Sequence, residues 1–298
     1  MRKEAPSRSP ERLTAKHWAA IAGVAAACLA LLAFRQDLRA LRYRHQLVRA
    51  GVPVERETWG LRLAACGRAA IPHLRSLLQD ADPGIRRAAV LAAERLREAE
   101  LEPLLIARAS DPDAGVREAA FSALARVASP TTTEALTDLL FDADEDRAMR
   151  SAHALAESAR AEAWTALRRA LKEHPSPCVR AQAIELIAAA LRLDATPDVL
   201  SALDDADIVD HPTLTQQQQR RTADQASAAI SRQLGDDGAW TLDVFTPRPV
   251  CDYAADALTQ WTGQIVAFDP ADVASVEHAR RTWRTLLETR TSASPAEP

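Results

Sequence analysis

The chain has 298 residues, of which 47% are hydrophobic but only 4% aromatic, with 9 glycines and a formal net charge of −4. A make-up this rich in alanine, leucine and arginine, with few β-branched or aromatic runs, favours an all-helical protein and suits one elongated domain with appendages. Residues 1–50 carry 10 of the 37 basic and 3 of the 41 acidic residues, so residues 51–298 hold 27 basic against 38 acidic, a balance of −11. A nucleic-acid-binding surface needs the opposite sign, which argues against nucleic acid as a partner.

In chain order, residues 1–17 form a basic segment with Pro and Ser, read as a disordered tail. The run from Trp18 to Phe34 (WAAIAGVAAACLALLAF) carries no charge. As a helix its 17 residues span about 26 Å, the short end for a bilayer core of about 30 Å. Trp18 and the flanking Lys16 and Arg35 suit the membrane interface. The expectation is a single-pass transmembrane anchor, at a bacterial inner membrane. Three other readings are weaker: a cleaved signal peptide, a lipoprotein signal ending at Cys28, and a buried helix of a soluble protein. Arg35-Gln36-Asp37 offers no small-residue cleavage site. Basic residues are balanced on the two sides, so the positive-inside rule assigns no side to the repeats. Residues 35–50 predict a basic connector helix, lying on anionic lipid or simply solvated.

Residues 51–290 carry the repeats, regular as far as 205. Acids recur every 31 residues, at Asp80, Asp111, Asp142, Glu173 and Asp204. Leu74, Leu105, Leu136 and Leu167 keep the same beat six positions earlier. After each acid come a turn and a second signature: Ile85-Arg86-Arg87-Ala88-Ala89, Val116-Arg117-Glu118-Ala119-Ala120, Met149-Arg150-Ser151-Ala152 and Val179-Arg180-Ala181-Gln182-Ala183. Apolar residues at 71, 74, 77 and 78 lie on one helical face, and Pro72 and Pro103 suit helix starts. Asp-Ala-Asp-Pro-Gly at 80–84 and Asp-Pro-Asp-Ala-Gly at 111–115 break one helix and cap the next. Each unit is therefore two helices, and alanines on the second let neighbours approach closely. Such units bury their apolar faces only by stacking, which predicts an α-solenoid. Residues 55–66, with Trp59, predict the second helix of a degenerate first unit.

Two constellations in the array suggest ligands. Asp142, Asp144 and Asp146 have the opening spacing of a calcium loop, but Arg147 and His153 stand where its glycine and closing glutamate belong. Asp80 with Arg86, Asp111 with Arg117, and then Arg150 and Arg180 predict a structural ladder tying turns to neighbouring units; the alternative is an anion- or partner-binding stripe.

A 31-residue two-helix unit of Leu-Leu-x-Asp, a turn and Val-Arg-x-Ala-Ala resembles the short HEAT-like repeat also found in phycobilin lyases. The resemblance covers residues 54–205 and returns weakly at 250–262. It implies an all-α solenoid and a binding surface. Residues 205–249 read as an insertion. Its acidic loop holds Asp205, Asp207, Asp210 and His211, either solvated or binding a cation. A polar helix from Thr213–Thr215 to Leu234 follows, and then an extended segment at 240–249. A closing repeat at 250–290, with Gly263, Phe268-Asp269-Pro270 and Trp283-Arg284, resembles the end of bacterial HEAT-like repeat proteins. Residues 291–298 are read as a disordered tail.

No catalytic motif, cofactor frame or metal frame is legible. Cys28, Cys66, Cys178 and Cys251 are far apart and each lies in an apolar context. The function expected is a membrane-tethered scaffold that binds a protein partner without catalysis. Two alternatives are kept: a repeat-based enzyme such as a bilin lyase or DNA glycosylase, and a purely structural or assembly factor.

Overall fold

The structure, a computed structural model, describes residues 15–234 and 245–293. Most side chains at 15–34 and 226–234, and those at 291–293, lie outside the description. So do the two predicted tails over 1–14 and 294–298, and the first part of the predicted extended segment, 240–244. The described residues are helical apart from short turns and a two-stranded ribbon. They divide into two compact units, one ending at Leu96 and one starting at Arg97.

In the first unit, α1 (Ala15–Arg49) runs without a break through the predicted anchor and the predicted connector. Among the described residues no helix is long and apolar enough to cross a membrane, so the expected transmembrane helix is not found. From Arg35 on, α1 carries five arginines and turns one face onto α2 (Pro53–Ala64). Ala40 and Leu47 are fully buried, and Tyr43 packs on Trp59 with ring centroids 5.9 Å apart. Part of the connector's apolar side is thus buried within the protein, while Leu38, Leu41 and Val48 stay exposed.

The unit continues with a 3₁₀ turn, then α3 (Ile71–Leu77) and α4 (Pro83–Leu96). Helix α2 packs on α4 at Gly60, where a Cβ would lie 2.9 Å from the Ala88 carbonyl oxygen. Leu63, Leu74, Leu77 and Leu78 meet the alanines of α4 (Ala88, Ala89, Ala92, Ala93) in the core. Small residues on one helix and leucines on the others let the backbones close up without voids.

In the second unit, α5 (Glu102–Arg108), α7 (Pro130–Leu140), α9 (Ala161–Glu173) and α11 (Thr196–Ser201) are the first helices of successive pairs. Their second helices are α6 (Ala114–Val127), α8 (Glu145–Ser158), α10 (Pro177–Ala189) and α13 (Val250–Thr262). Asp113, Ser129, Asp144 and Ser176 cap helices by accepting the N–H three residues on. The chain leaves four second helices through left-handed residues that are not glycine, Arg97 after α4, Ala128 after α6, Ala159 after α8 and Leu191 after α10, and leaves α13 through the left-handed Gly263.

Between α11 and α13 the insertion contributes β1 (Ile208–Val209), α12 (Leu214–Leu234) and β2 (Arg248–Pro249). The strands pair antiparallel, Ile208 opposite Pro249, which brings the two ends of the insertion together. Helix α14 (Val273–Ala293) closes the unit, with Trp261 and Trp283 buried and Phe268 edge-on to Trp283 at 6.0 Å.

Candidate functional site

The predicted arginine stripe resolves into two kinds of position. Arg86, Arg117 and Arg180 are each the fourth residue of their helix. From there each guanidinium turns back over its own turn and donates to main-chain carbonyls. Arg86 Nη1 is 2.9 Å from the oxygens of Asp80 and Ala81. Arg117 Nη1 is 2.8 Å from Asp111 O and 3.1 Å from Pro112 O. Arg180 Nη1 is 2.8 Å from His174 O and 3.1 Å from Pro175 O. Arg180 also reaches the next turn, with Nε 2.6 Å from Asp205 Oδ2 and Nη2 2.6 Å from Asp207 Oδ2. Burial opposes the charge on Arg180, but these two carboxylates outweigh it and its pKa moves up.

The turn acids shape the loops themselves. Asp80 accepts from the N–H of Asp82, and Asp111, 2% exposed, accepts from the N–H of Asp113 and from Arg108 Nη1.

Arg150 differs. It is the sixth residue of α8, roughly 200° round the helix from the fourth position. It pairs with Asp146 at 2.8 Å along its own helix. Arg147 faces the turn instead, 2.9 Å from Asp142 Oδ1 and 3.3 Å from Asp144 Oδ2. All three acids of the calcium-like spacing are therefore paired with arginine.

Arg56 belongs to the stripe and was missed by sequence reasoning. It is the fourth residue of α2, donates to Ala50 O at 2.8 Å and grips Asp82 with both terminal nitrogens at 2.9–3.0 Å. The spacing Pro53-x-x-Arg56 repeats in Pro83-x-x-Arg86 and Pro177-x-x-Arg180, and was the available signal.

The insertion covers α10, burying its outward face of Cys178, Gln182 and Glu185. Gln182, fully buried, exchanges hydrogen bonds with Thr215: Nε2 donates to Oγ1 at 2.5 Å, and Thr215 N donates to Oε1 at 3.1 Å. Thr213 Oγ1 donates to Glu185 at 2.6 Å, and Gln216 Nε2 to the Tyr253 hydroxyl at 3.2 Å. Burial pushes the Glu185 carboxyl up to about 7.

The acidic loop does not gather around one point. Asp205 and Asp207 turn to Arg180, while His211 turns to α8 and α10. Its Nε2 lies 2.8 Å from Glu145 Oε2 and its Nδ1 lies 3.5 Å from Cys178 Sγ. Ser176 Oγ donates to the other oxygen of Glu145. The Cys178 thiol is 2% exposed, and burial, with Glu145, Glu185 and Asp210 nearby, pushes it up to about 12. It is therefore a thiol at neutral pH and no nucleophile.

A cleft of about 170 Å³ opens where α12 passes α6 and α8. Phe121 and Ala154 form its floor. Glu118, Arg150, His153 and Glu157 rise around it, and Leu214 and Gln218 close one side. The His153 Nδ1 is buried with no hydrogen-bond partner among the described residues, and Glu118 forms no ion pair among them.

Residues 71–156 match the family model described as HEAT repeats. No curated protein matches the chain. Among solved structures it is similar to the complex of CpcE and CpcF of phycocyanin lyase from Nostoc sp., with 18% identity and a TM-score of 0.38, over 97% of this chain and 99% of that one. It is also similar to human deoxyhypusine hydroxylase in complex with glycerol, with 20% identity and a TM-score of 0.26, over 87% of this chain and 99% of that one. At these values neither likeness carries a function across. With helix pairs whose arginines tie down their turns, and with that family match, the chain is a HEAT-like repeat protein.

Proposed function

We propose that the protein is a scaffold whose repeats bind a protein partner without catalysing a reaction, and that the partner seats on the face formed by α6, α8 and α12. The observation that carries this reading is the cleft there. An apolar floor ringed by a few converging polar groups is the usual make-up of a recognition pocket. About 170 Å³ takes one or two side chains rather than a whole cofactor. Arg150 is already neutralised by Asp146, and Glu157 lies 3.7 Å from Arg126, which leaves Glu118 as a rim charge with no ion pair among the described residues. The cleft therefore suits a basic side chain presented by the partner. Non-catalytic action is supported by Cys178, whose thiol faces an imidazole but is buried and protonated. A membrane tether is not needed for this function.

A photo-crosslinking residue placed at Glu118 or Gln218 in the full chain, expressed in its native host, tests the proposal. One discrete crosslinked protein is expected from both positions, and not from Glu134 on the first helix α7. Glu118→Lys should abolish the crosslink from Gln218. Equal labelling from Glu134, or no crosslink at either cleft position, sinks the proposal.

A further inference from the structure

Glu145, Cys178 and His211 are 33 residues apart in each step, close to the repeat period. Glu145 opens α8, Cys178 is the second residue of α10, and His211 lies just before α12. Two successive units thus deliver one carboxylate and one thiol, and the insertion one imidazole, to a single point, with their ligand atoms all within 4.8 Å of one another. We propose that these three side chains form a binding site for zinc, or a divalent ion of similar softness, which clips the insertion to the repeats.

Several features support the assignment. One sulfur, one nitrogen and one oxygen make a donor set that zinc accepts and that calcium and magnesium, which prefer oxygen, do not. With zinc bonds of about 2.3 Å to sulfur and about 2.0–2.1 Å to nitrogen and oxygen, tetrahedral ligands stand about 3.3–3.6 Å apart. The observed Sγ to Nδ1 separation is 3.5 Å. One imidazole gives one nitrogen to the ion, so His211 must turn as the ion enters, drawing Sγ and Oε2 in by about an ångström or less. Thiolate and carboxylate together cancel the charge of a divalent ion, so the half-buried site becomes neutral. As the sulfur–metal bond forms, the thiol proton leaves to solvent.

The surroundings are already arranged for this. Ser176 Oγ donates to Glu145 Oε1, which fixes the carboxylate while Oε2 stays on the ligand side. Met149 Sδ walls the sulfur at 3.5 Å. His211 and Glu145 keep 41% and 34% side-chain exposure, which gives the ion an entry path and leaves a fourth position for water. No short ligand motif announces this site, because its ligands are spaced by 33 residues, close to the period of the repeat.

The test uses the full-length protein stripped with a chelator and then titrated with Zn²⁺ against a chromophoric competitor, and with Co²⁺ as a spectroscopic stand-in. One equivalent of zinc should bind, raising the melting temperature. Cobalt should give a thiolate charge-transfer band in the near ultraviolet together with tetrahedral visible bands. Cys178→Ser should remove the band, and His211→Gln and Glu145→Gln should each weaken binding at least tenfold. His211 sits in a half-exposed loop, so its variant stays informative if Cys178→Ser misfolds. Cys251→Ser, away from the cluster, should bind normally. No binding at micromolar zinc, or binding unchanged in both Cys178→Ser and His211→Gln, overturns the proposal.

Discussion

Arg180 meets Asp205 through two parallel hydrogen bonds, Nε to Oδ2 at 2.6 Å and Nη2 to Oδ1 at 3.0 Å, across 25 residues of sequence. The same guanidinium holds the carbonyls of His174 and Pro175, so one side chain ties the turn before α10 to the turn after α11. Its side chain is only 8% exposed. Removing one partner of such a buried pair costs about 3–5 kcal/mol, because the other charge is left stranded. Arg180→Ala should therefore lower the melting temperature by several degrees; Asp205→Asn, which leaves Arg180 its bond to Asp207, should lower it by less, and the double variant should lose less than the sum. Arg150→Ala breaks only a pair along one helix, worth about 0.3–0.5 kcal/mol, and should melt nearly as the parent does. Equal melts for Arg180→Ala and Arg150→Ala would falsify the distinction drawn between the two arginines.

Gly60 sets how closely α2 approaches α4. A methyl group there meets main chain, the Ala88 carbonyl at 2.9 Å, and main chain does not swing aside. Gly60→Ala should destabilise the protein by about 1–3 kcal/mol through overpacking, in spite of alanine's better helix propensity. Gly51→Ala, with nothing within 4 Å, serves as the control. A neutral or stabilising Gly60→Ala in denaturant melts would show that the helices separate freely.

Ala128 and Ala159 end α6 and α8 with φ of 49° and 53°, where an L side chain is strained. Glycine takes this conformation freely, but it also gives the unfolded chain more entropy. The first effect is worth about 1–2 kcal/mol and the second about 0.4–1, so Ala128→Gly and Ala159→Gly should each stabilise by up to about 1 kcal/mol. Chemical denaturation reads the change directly, and a loss of stability in both variants would show that the left-handed turns are not strained.

Glu185 links acidity to the insertion. Its carboxyl rises from 4.5 to about 7, with burial as the main cause. Between those values the unfolded chain ionises while the folded chain keeps its proton, so the folded state binds more protons there. Stability attributable to Glu185 therefore falls as pH rises from about 4.5 to 7 and is level above that. Glu185→Gln still accepts from Thr213 but carries no titrating proton. Its melting temperature should gain on that of the parent steadily from pH 5 to pH 7. Parallel pH profiles for the two proteins would mean that Glu185 is solvated.

The paired helices, their order and the alanine stripes were legible because a repeated unit writes each packing constraint several times. Leu74, Leu105, Leu136 and Leu167 announce one buried position four times, and 31-residue spacing leaves little else for the chain to be. Proline at the helix start and arginine at its fourth residue are equally local, since the arginine bonds carbonyls five or six positions back. What the sequence by itself determined is therefore the two-helix unit, whose contacts run along the chain. Tertiary structure alone decided the rest. Arg150 faces the cleft rather than the turn because α8 starts one pair of residues early relative to its arginine, a shift of helical phase that no residue type announces. The insertion lies on α10 through single polar pairs such as Gln182 with Thr215, which have no periodicity to read. Glu145, Cys178 and His211 come together only because two stacked units and the insertion lying on them place their helix starts side by side, and contacts across 33 and 66 residues are fixed by that geometry rather than by local spacing.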